Sequence, residues 1–525
     1  MPGTDPARIQ EINAIEPLRK SLEALYAYFR ELDCQTNDNP VRIFTGVSLI
    51  FAVFFTFYFA RKYPHKKWLF ITFFILFSGF SLRFMYAVHT NAIVERQHDV
   101  LSIRGSGHYG IIMSYYRTGK GPEPFLNPDG TVNFSYGYQM YHPRFAHISL
   151  AYFIRFMKIF LGSDEYVLYQ STRILLCFSS CLTLMLGYLI LKEFFEDDRS
   201  IAFGSLILAF SPIFLRLTAM TNNDNFSTLF IFMALYYFVK WYKTRKIPYI
   251  IGIAFGIGLG MASKLNVGLL AIPIGIAFIY VLVKEIIASS KEGKFKKSLG
   301  MLLLSFLIFA VICFPLGLYY PLKHLKEYNQ PITYVYKVPN NVLAVTNTNV
   351  FQRFLSFSFR HYYEYPYVRL SSISPLGQDY NIYEVSLKSL SFGEFNYSYT
   401  TAAFFINSLS LLVFIFVLFS IVFTIYFYIQ NKDSQTNNYL FLYLAFMLII
   451  VFGWSYVTFN IKHPATCTMD FRYIIPLLIS NALFTGLTFE SLNKNNNVAI
   501  RIFSYVYLSV FGLYFLSTTI FYFVV

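Results

Sequence analysis

Charged residues are scarce in this chain of 525 residues, because Asp, Glu, Lys and Arg together make up only 14%. A typical soluble domain carries about 25%, and a disordered protein carries many charges and few apolar residues. The chain also has only five cysteines, which form neither a disulfide framework nor a zinc-binding spacing. The sequence contains no phosphate-binding loop, HExxH motif or GxSxG motif. ATP-driven chemistry and hydrolysis by serine or zinc therefore have no support.

Apolar residues are abundant instead: 56% of the chain is hydrophobic, and long apolar runs recur along it. A run of about 20 apolar residues is the length that an α-helix needs to cross a bilayer. We therefore predict an all-α polytopic membrane protein with about twelve transmembrane helices. The expected spans are 43–61, 68–88, 166–191, 199–219, 225–241, 248–263, 266–286, 298–320, 401–429, 438–459, 472–490 and 500–523.

The net charge of +15 is concentrated in short loops between the apolar runs, which is typical of the cytoplasmic side of a membrane protein. A nucleic-acid partner would require a basic face on a soluble domain, and the sequence shows no such domain. Placing the basic loops inside puts the N-terminus and segments 89–165, 321–400 and 460–471 outside. One inner turn is acidic; it contains Glu193, Glu196, Asp197 and Asp198, and acidic residues carry little topological weight.

The chain divides into a polar N-terminal segment, 1–42, with an amphipathic helix; a transmembrane module, 43–320, that includes the outer loop 89–165; a large outer loop, 321–400; and C-terminal helices, 401–525. We expect span 43–61 to act as an uncleaved insertion signal, and the side of the N-terminus depends on whether it spans. Residues 145–161 are apolar but carry His147, Arg155 and Lys158. They are therefore interpreted as a helix lying in the outer interface.

Polar clusters lie next to span ends on the predicted outer side, where the long loops also place the chemistry. Lys264 adds a cation there, between the sixth and seventh spans. The clusters are Glu95-Arg96-Gln97-His98-Asp99-Val100 with Gly107-His108-Tyr109, Tyr141-His142-Pro143-Arg144, Asn222-Asn223-Asp224, and His463-Pro464 with Thr468-Met469-Asp470-Phe471-Arg472-Tyr473.

This combination of charges suits transfer chemistry at a membrane boundary. A carboxylate such as Asp99 can deprotonate a hydroxyl acceptor. Cations such as Lys264 and Arg472 can hold an anionic lipid head group and stabilise the charge on a departing phosphate.

Structural interpretations compete with these roles. Arg472 and Lys264 could be interfacial anchors. Asp224 could be the N-cap of the fifth span, which is the interpretation that its local sequence favours. His142 and His147 are more typical of ordinary interfacial histidines than of metal ligands.

In the order and position of these motifs, the chain resembles the GT-C superfamily of membrane glycosyltransferases over residues 69–490. It is most similar to the branch with protein O-mannosyltransferases and the bacterial lipid A aminoarabinose transferase. It departs from that pattern at Pro143-Arg144, where relatives have two prolines, and it lacks a large outer sugar-binding module. The motifs that carry the resemblance are Arg96-Gln97-His98-Asp99-Val100, Gly107-His108-Tyr109, Tyr141-His142-Pro143, Asn223-Asp224, Ser263-Lys264-Leu265-Asn266 and Met469-Asp470-Phe471-Arg472-Tyr473.

The resemblance implies an inverting transfer of a sugar, mannose first among the options, from a dolichyl or polyprenyl phosphate to a hydroxyl on a protein, lipid or glycan. Membrane lipids would surround the enzyme, and no nucleic acid would take part. The implied roles are Asp99 as general base, with His98 or Glu95 orienting it; Arg472, Lys264 and Arg144 on the donor phosphate; and His142, Tyr473, His463 and Asp224 along the pocket.

No cofactor is expected, although Asp99, Asp224 and Glu95 could hold a divalent metal if they converge. A eukaryotic chain of this kind would lie in the endoplasmic reticulum membrane with a lumenal active face, and a bacterial one in the plasma membrane. Two other classes remain open, a secondary transporter and a non-catalytic membrane scaffold. A transporter places ionisable residues near the midplane and often has two similar halves, and this sequence shows neither feature.

Overall fold

The computed structural model describes residues 24, 39–93, 97, 99–101, 107–122, 142–291, 295–329, 332, 344–345, 348–370, 377–430 and 438–524. All regular structure in these ranges is helical, as predicted, and a single isolated β-bridge joins Ala344 to Ala465. The α-helices are α1 (Asn39–Lys62), α2 (Lys67–His89), α3 (His108–Thr118), α4 (Phe145–Leu161), α5 (Glu165–Gln170), α6 (Thr172–Phe194), α7 (Asp198–Phe210), α8 (Pro212–Leu217), α9 (Asp224–Thr244), α10 (Ile247–Ser263), α11 (Ala271–Lys291), α12 (Phe295–Tyr328), α13 (Val350–Phe354), α14 (Phe359–Glu364), α15 (Ile382–Phe392), α16 (Thr400–Gln430), α17 (Asn438–Lys462), α18 (Leu477–Asn493) and α19 (Val498–Val524).

Short 3₁₀ helices lie between some of these α-helices. They cover Pro64–Lys66, Leu265–Leu270, Thr466–Met469 and Phe471–Ile474. The predicted interfacial helix 145–161 is present with the same ends as α4. The amphipathic helix predicted within 1–42 falls outside the described residues, apart from Ala24 and the start of α1.

Eight helices in the described part of the chain are long and apolar enough to cross a membrane. A ninth crossing results if the pair Thr466–Ile474 and Leu477–Asn493, bent by 54°, is one span. The predicted count of twelve is therefore not confirmed, although each predicted span falls on helical residues. Helix α10 has 17 residues, or about 25 Å, which is less than the roughly 30 Å of a bilayer core.

The predicted span 199–219 is divided where α7 ends and α8 begins. Pro212 has no N–H to donate to the carbonyl of Leu208, so the α-helical ladder cannot continue through this point. Arg83, which is buried in α2, compensates: its Nη2 donates to Leu208 O at 3.2 Å and its Nη1 to Ala209 O at 2.8 Å. The helix break is thus stabilised from a neighbouring helix, and the chain is directed toward the turn at residues 218–223.

The apolar core surrounds this broken helix. Phe203 of α7 lies 4.8 Å from the ring of Phe489 in α18 and 5.2 Å from that of Phe511 in α19. Trp241 and Phe232 of α9 are buried in the same core. Together these contacts place α7 and α9 in one apolar core with α18 and α19.

The described part of the outer segment 321–400 packs around buried charges. Asp379, which has no exposed surface, pairs with Arg369 at 2.9 Å and with the ammonium of Lys388 at 3.2 Å. Thr466 donates a hydrogen bond of 2.6 Å to the carbonyl of Asp379. This hydrogen bond holds the described part of segment 321–400 against the turn that precedes Arg472.

Replacing Lys388 with Met should destabilise the protein by about 3 kcal/mol, because it leaves part of the charge on Asp379 buried without its partner. The measurement is thermal unfolding of the purified protein in detergent. Lys323→Met is the matched control, since Lys323 and Glu327 form an exposed pair whose loss should change stability by less than about 0.5 kcal/mol. Equal stability of the Lys388 variant and the wild type would contradict this account of the outer segment.

Candidate active site

The first outer loop is anchored to the turn before α9. The side-chain amide of Gln97 donates to Ala219 O at 2.8 Å, and its carbonyl accepts from Thr221 N at 3.0 Å. The hydroxyl of Thr221 in turn donates to Ala92 O at 3.0 Å. These bonds hold the Asp99 loop beside the start of α9, although about 120 residues separate them in the chain.

The backbone of Asp99 is fixed by the start of α3. Its carbonyl accepts a hydrogen bond of 2.9 Å from His108 N, and Tyr109 N donates to Val100 O at the same distance. A Cβ at Gly107 would lie 2.4 Å from Val100 O and 2.8 Å from Asp99 O, so only glycine permits this approach. The Gly107-His108-Tyr109 motif therefore positions Asp99, whose side chain is exposed and whose φ is +52°.

Asp224, at the start of α9, and Lys264, just after the end of α10, form a direct ion pair. Asn223, the residue before α9, donates to Ser263 O at 3.1 Å and joins the same two helix ends. The N-cap interpretation of Asp224 is wrong, since the capping position is Asn223 and α9 has no side-chain cap. The anchor interpretation of Lys264 is also wrong, because its side chain is only 12% exposed and turns toward Asp224.

Arg472 and Lys264 lie on the same aromatic ring. The Lys264 ammonium is 4.8 Å from the centroid of Tyr473, and the Arg472 guanidinium carbon is 5.3 Å from it. Arg472 is 10% exposed, so it is not an anchor in the interface, and its Nη2 lies 3.8 Å from Glu394 Oε1. Two cations that lie 208 residues apart in the sequence thus meet at one ring.

Two buried histidines, His108 and His147, lie close to these charges. His108 Nδ1 and His147 Nε2 are 2.8 Å apart, and the two rings stack. The charges of Asp224, Arg472, Lys264 and Arg144 all act on His108, but burial is the largest effect and lowers its pKa to about 3. Burial also holds the pKa of His147 well below its usual value. Both rings are therefore neutral at pH 7.

His142 and Arg144 reach the same region from the segment before α4. Burial holds the pKa of His142 well below its usual value, and the nearby charge of Lys264 lowers it further. His463 is further out: its ring stands 5.2 Å from Phe459, which lies 6.1 Å from Tyr473.

Asp99 is related to Arg472 through Cys467, because the charges of Asp99, Glu394 and Arg472 all act on the thiol of Cys467. The contacts of Lys264 connect it to Asp224 and Tyr473, and Arg472 contacts the same ring. The remaining two candidates, Glu95 and His98, lie outside the described residues.

The sequence interpretation missed Glu394 and Arg216. Glu394 belongs to no motif, and its only signal is an isolated carboxylate seven residues before an apolar run. Arg216 falls inside the predicted span 199–219, so no motif marked it as a site residue. It is fully buried, and its charge acts on Glu394.

A possible metal-ligand set in the described residues is His361, Asp379 and Glu384, whose ligand atoms lie within 4.8 Å of one another. Asp379 is neutralised there by Arg369 and Lys388, so the set fits a network of ion pairs better than a cation site. The pairing of Asp224 with Lys264 likewise disfavours the metal site considered for Asp224 with Asp99 and Glu95, and Glu95 lies beyond the described ranges.

One part of the chain matches a known protein family. Residues 142–314 match the family model described as dolichyl-phosphate-mannose-protein mannosyltransferase. This range includes Arg144, Asp224 and Lys264. No curated protein sequence matches the chain significantly.

Among solved structures, the apo crystal structure of the Archaeoglobus fulgidus oligosaccharyltransferase matches with a TM-score of 0.46 and 11% identity. The match covers 85% of this chain and 56% of that one, so the chain spans just over half of the length of this neighbour. The resemblance to GT-C membrane glycosyltransferases is confirmed by the family match: over residues 142–314 the chain is similar to the dolichyl-phosphate-mannose-protein mannosyltransferases.

Proposed function

We propose that the protein is an inverting glycosyltransferase that uses a sugar, with mannose as the first candidate, on a dolichyl or polyprenyl phosphate. The acceptor is a hydroxyl group of a protein, lipid or glycan on the outer face of the membrane. The observation that carries the proposal is the meeting of Lys264 and Arg472 at the ring of Tyr473. The charge of the exposed carboxylate of Asp99 acts on Cys467, as does that of Arg472. The proposed transfer requires a general base for the acceptor hydroxyl and positive charge for the leaving phosphate.

The reaction balances with groups of this chain. The acceptor hydroxyl gives its proton to the carboxylate of Asp99, and its oxygen attacks the anomeric carbon of the sugar. The bond between that carbon and the phosphate oxygen breaks, and its electron pair leaves with the carrier phosphate. Attack opposite the leaving group inverts the configuration at the anomeric carbon.

Lys264 and Arg472 stabilise the charge that grows on the leaving phosphate. Their counter-ions, Asp224 and Glu394, keep both cations in place before the donor arrives. The neutral rings of His108 and His147 add no further positive charge next to Lys264. Arg144, which acts electrostatically on the same histidines, would reinforce the phosphate site.

The membrane location follows from the same proposal. The lipid-linked donor reaches a site at the outer boundary from the bilayer, so the active face is lumenal in an endoplasmic reticulum membrane or external in a bacterial plasma membrane. The polar residues of the site lie at helix ends and breaks rather than within long helices. Secondary transporters commonly consist of two similar halves, and the lack of such halves in this sequence favours an enzyme over a transporter.

Asp99→Asn should abolish most of the activity, with a loss of at least about 100-fold, because the amide cannot accept the acceptor proton. The measurement is transfer of labelled sugar from polyprenyl-phosphate donors in membranes that contain each variant. Asp164→Asn is the matched control, since Asp164 is exposed and caps α5, a role that Asn also fills. Full activity of Asp99→Asn would move the base elsewhere. No transfer by the wild type from any donor would favour the scaffold or transporter.

Gly107→Ala should lower the turnover rate by about 100-fold, because its Cβ displaces the backbone of Asp99 and Val100 and a shift of about 1 Å in a reacting group has this effect. Gly275→Ala is the control, since nothing lies within 4 Å of a Cβ at that position in α11. The same transfer assay, normalised to the amount of protein, compares the two. Equal activities would mean that the contact between α3 and the Asp99 loop does not position the base.

Chelation with EDTA should leave transfer unchanged within about twofold, because Lys264 and Arg472 supply the positive charge that a divalent metal would otherwise provide. The measurement is the initial rate of transfer after dialysis against the chelator. A loss of activity that added Mg²⁺ or Mn²⁺ restores would contradict the metal-free mechanism.

A further inference from the structure

Glu394 lies in the short connection between α15 and α16, and its position is set by a buried arginine. Arg216 Nη2 donates to the carbonyls of Ser389 and Leu390 at the end of α15. Gly393 follows with φ of +69°, and a Cβ there would lie 1.8 Å from Arg216 Nη1. Only glycine fits at position 393 beside Arg216. The turn at Gly393 leads directly to Glu394, whose side chain is buried.

Glu394 is buried, and the charges of two arginines and of Asp224 act on it. Its side chain is 10% exposed, and the guanidinium groups of Arg472 and Arg216 both act on it. Burial raises the pKa of Glu394, and the two arginines oppose that effect. A buried carboxylate between two guanidinium groups serves as a counter-ion, because a buried charge is costly without one.

The contact between Glu394 and Arg472 is loose. The separation of 3.8 Å between Oε1 and Nη2 exceeds the roughly 2.7–2.9 Å of a charge-assisted hydrogen bond. In the described part of the protein, Arg472 Nε is buried and has no hydrogen-bond partner. Guanidinium groups bind carboxylate or phosphate best through two parallel hydrogen bonds. Arg472 thus retains unused capacity for a phosphate.

We infer that Glu394 is the resting counter-ion of Arg472 and that the phosphate of the lipid carrier replaces it on binding. The inference rests on the proposed function, since it assigns a phosphate to Arg472. Glu394 is then a positioning residue that weakens donor binding: the phosphate must compete with a carboxylate already in place. After transfer, the return of Glu394 to Arg472 favours release of the carrier phosphate.

The test is binding of a polyprenyl monophosphate without sugar to the full chain in lipid nanodiscs. Glu394→Gln should bind the phosphate about tenfold more tightly than the wild type, because the competing charge is gone while the side-chain shape is kept. A merely structural role for Glu394 predicts weaker binding instead. Glu165→Gln is the matched control, since Glu165 pairs with Arg117 in an exposed carboxylate–guanidinium contact, and its affinity should equal that of the wild type.

The outcomes separate the inference from the proposed function. Unchanged or weaker binding by Glu394→Gln, with normal binding by the wild type, overturns the inference alone. A wild type that binds polyprenyl monophosphate no better than the uncharged polyprenol overturns the proposed function. If Glu394→Gln does not fold, Glu394→Asp decides the matter, because it keeps the charge but moves it away from Arg472. The affinity of Glu394→Asp for polyprenyl monophosphate is then expected to be about threefold higher than that of the wild type. An affinity equal to or lower than that of the wild type overturns the inference.

Discussion

A charge that is buried near the candidate site needs an opposite charge close by. The ion pairs that meet this need also hold the segments of the site together. An unpaired ion in such a place costs several kcal/mol, so removal of either partner is far more damaging than removal of an exposed ion. The pair of Asp224 with Lys264 joins the ends of α9 and α10. The pair of Glu394 with Arg472 joins the α15–α16 connection to the turn before α18. Because each pair links segments far apart in sequence, pairing the charges also assembles the site.

Helix breaks supply the places where these charges can lie. The carbonyls freed at the break between α7 and α8 accept hydrogen bonds from Arg83, and Arg472 lies in the 3₁₀ helix just before the 54° bend into α18. Backbone groups freed at such points must find other partners in a membrane protein, which they do here in neighbouring helices. The outer segment then covers this region through the bond from Thr466 to Asp379. An interior of cations, surrounded by tightly packed aromatic rings, is suited to an anionic lipid head group.

The sequence predicts the helical class and the ends of α4, because these depend on apolar run length, and it marks the charges at span ends as candidates for the site. It does not predict the partners of those charges. Asn222, Asn223 and Asp224 have the composition of a helix cap, and only the fold shows that Lys264, 40 residues away, is the partner of Asp224. Glu394 has no motif around it, and its role depends on Arg472 and Arg216, which lie in other elements. The predicted count of twelve spans is not confirmed, since the predicted span 199–219 is divided before Pro212 and α10 has only 17 residues.

The most direct test of the account is a cryo-electron microscopy structure of the protein in lipid nanodiscs with a polyprenyl-phosphate sugar bound. The account predicts phosphate density within hydrogen-bond distance of Lys264 and Arg472, with the anomeric carbon facing Asp99. Phosphate density away from both cations, or a sugar remote from Asp99, would contradict it.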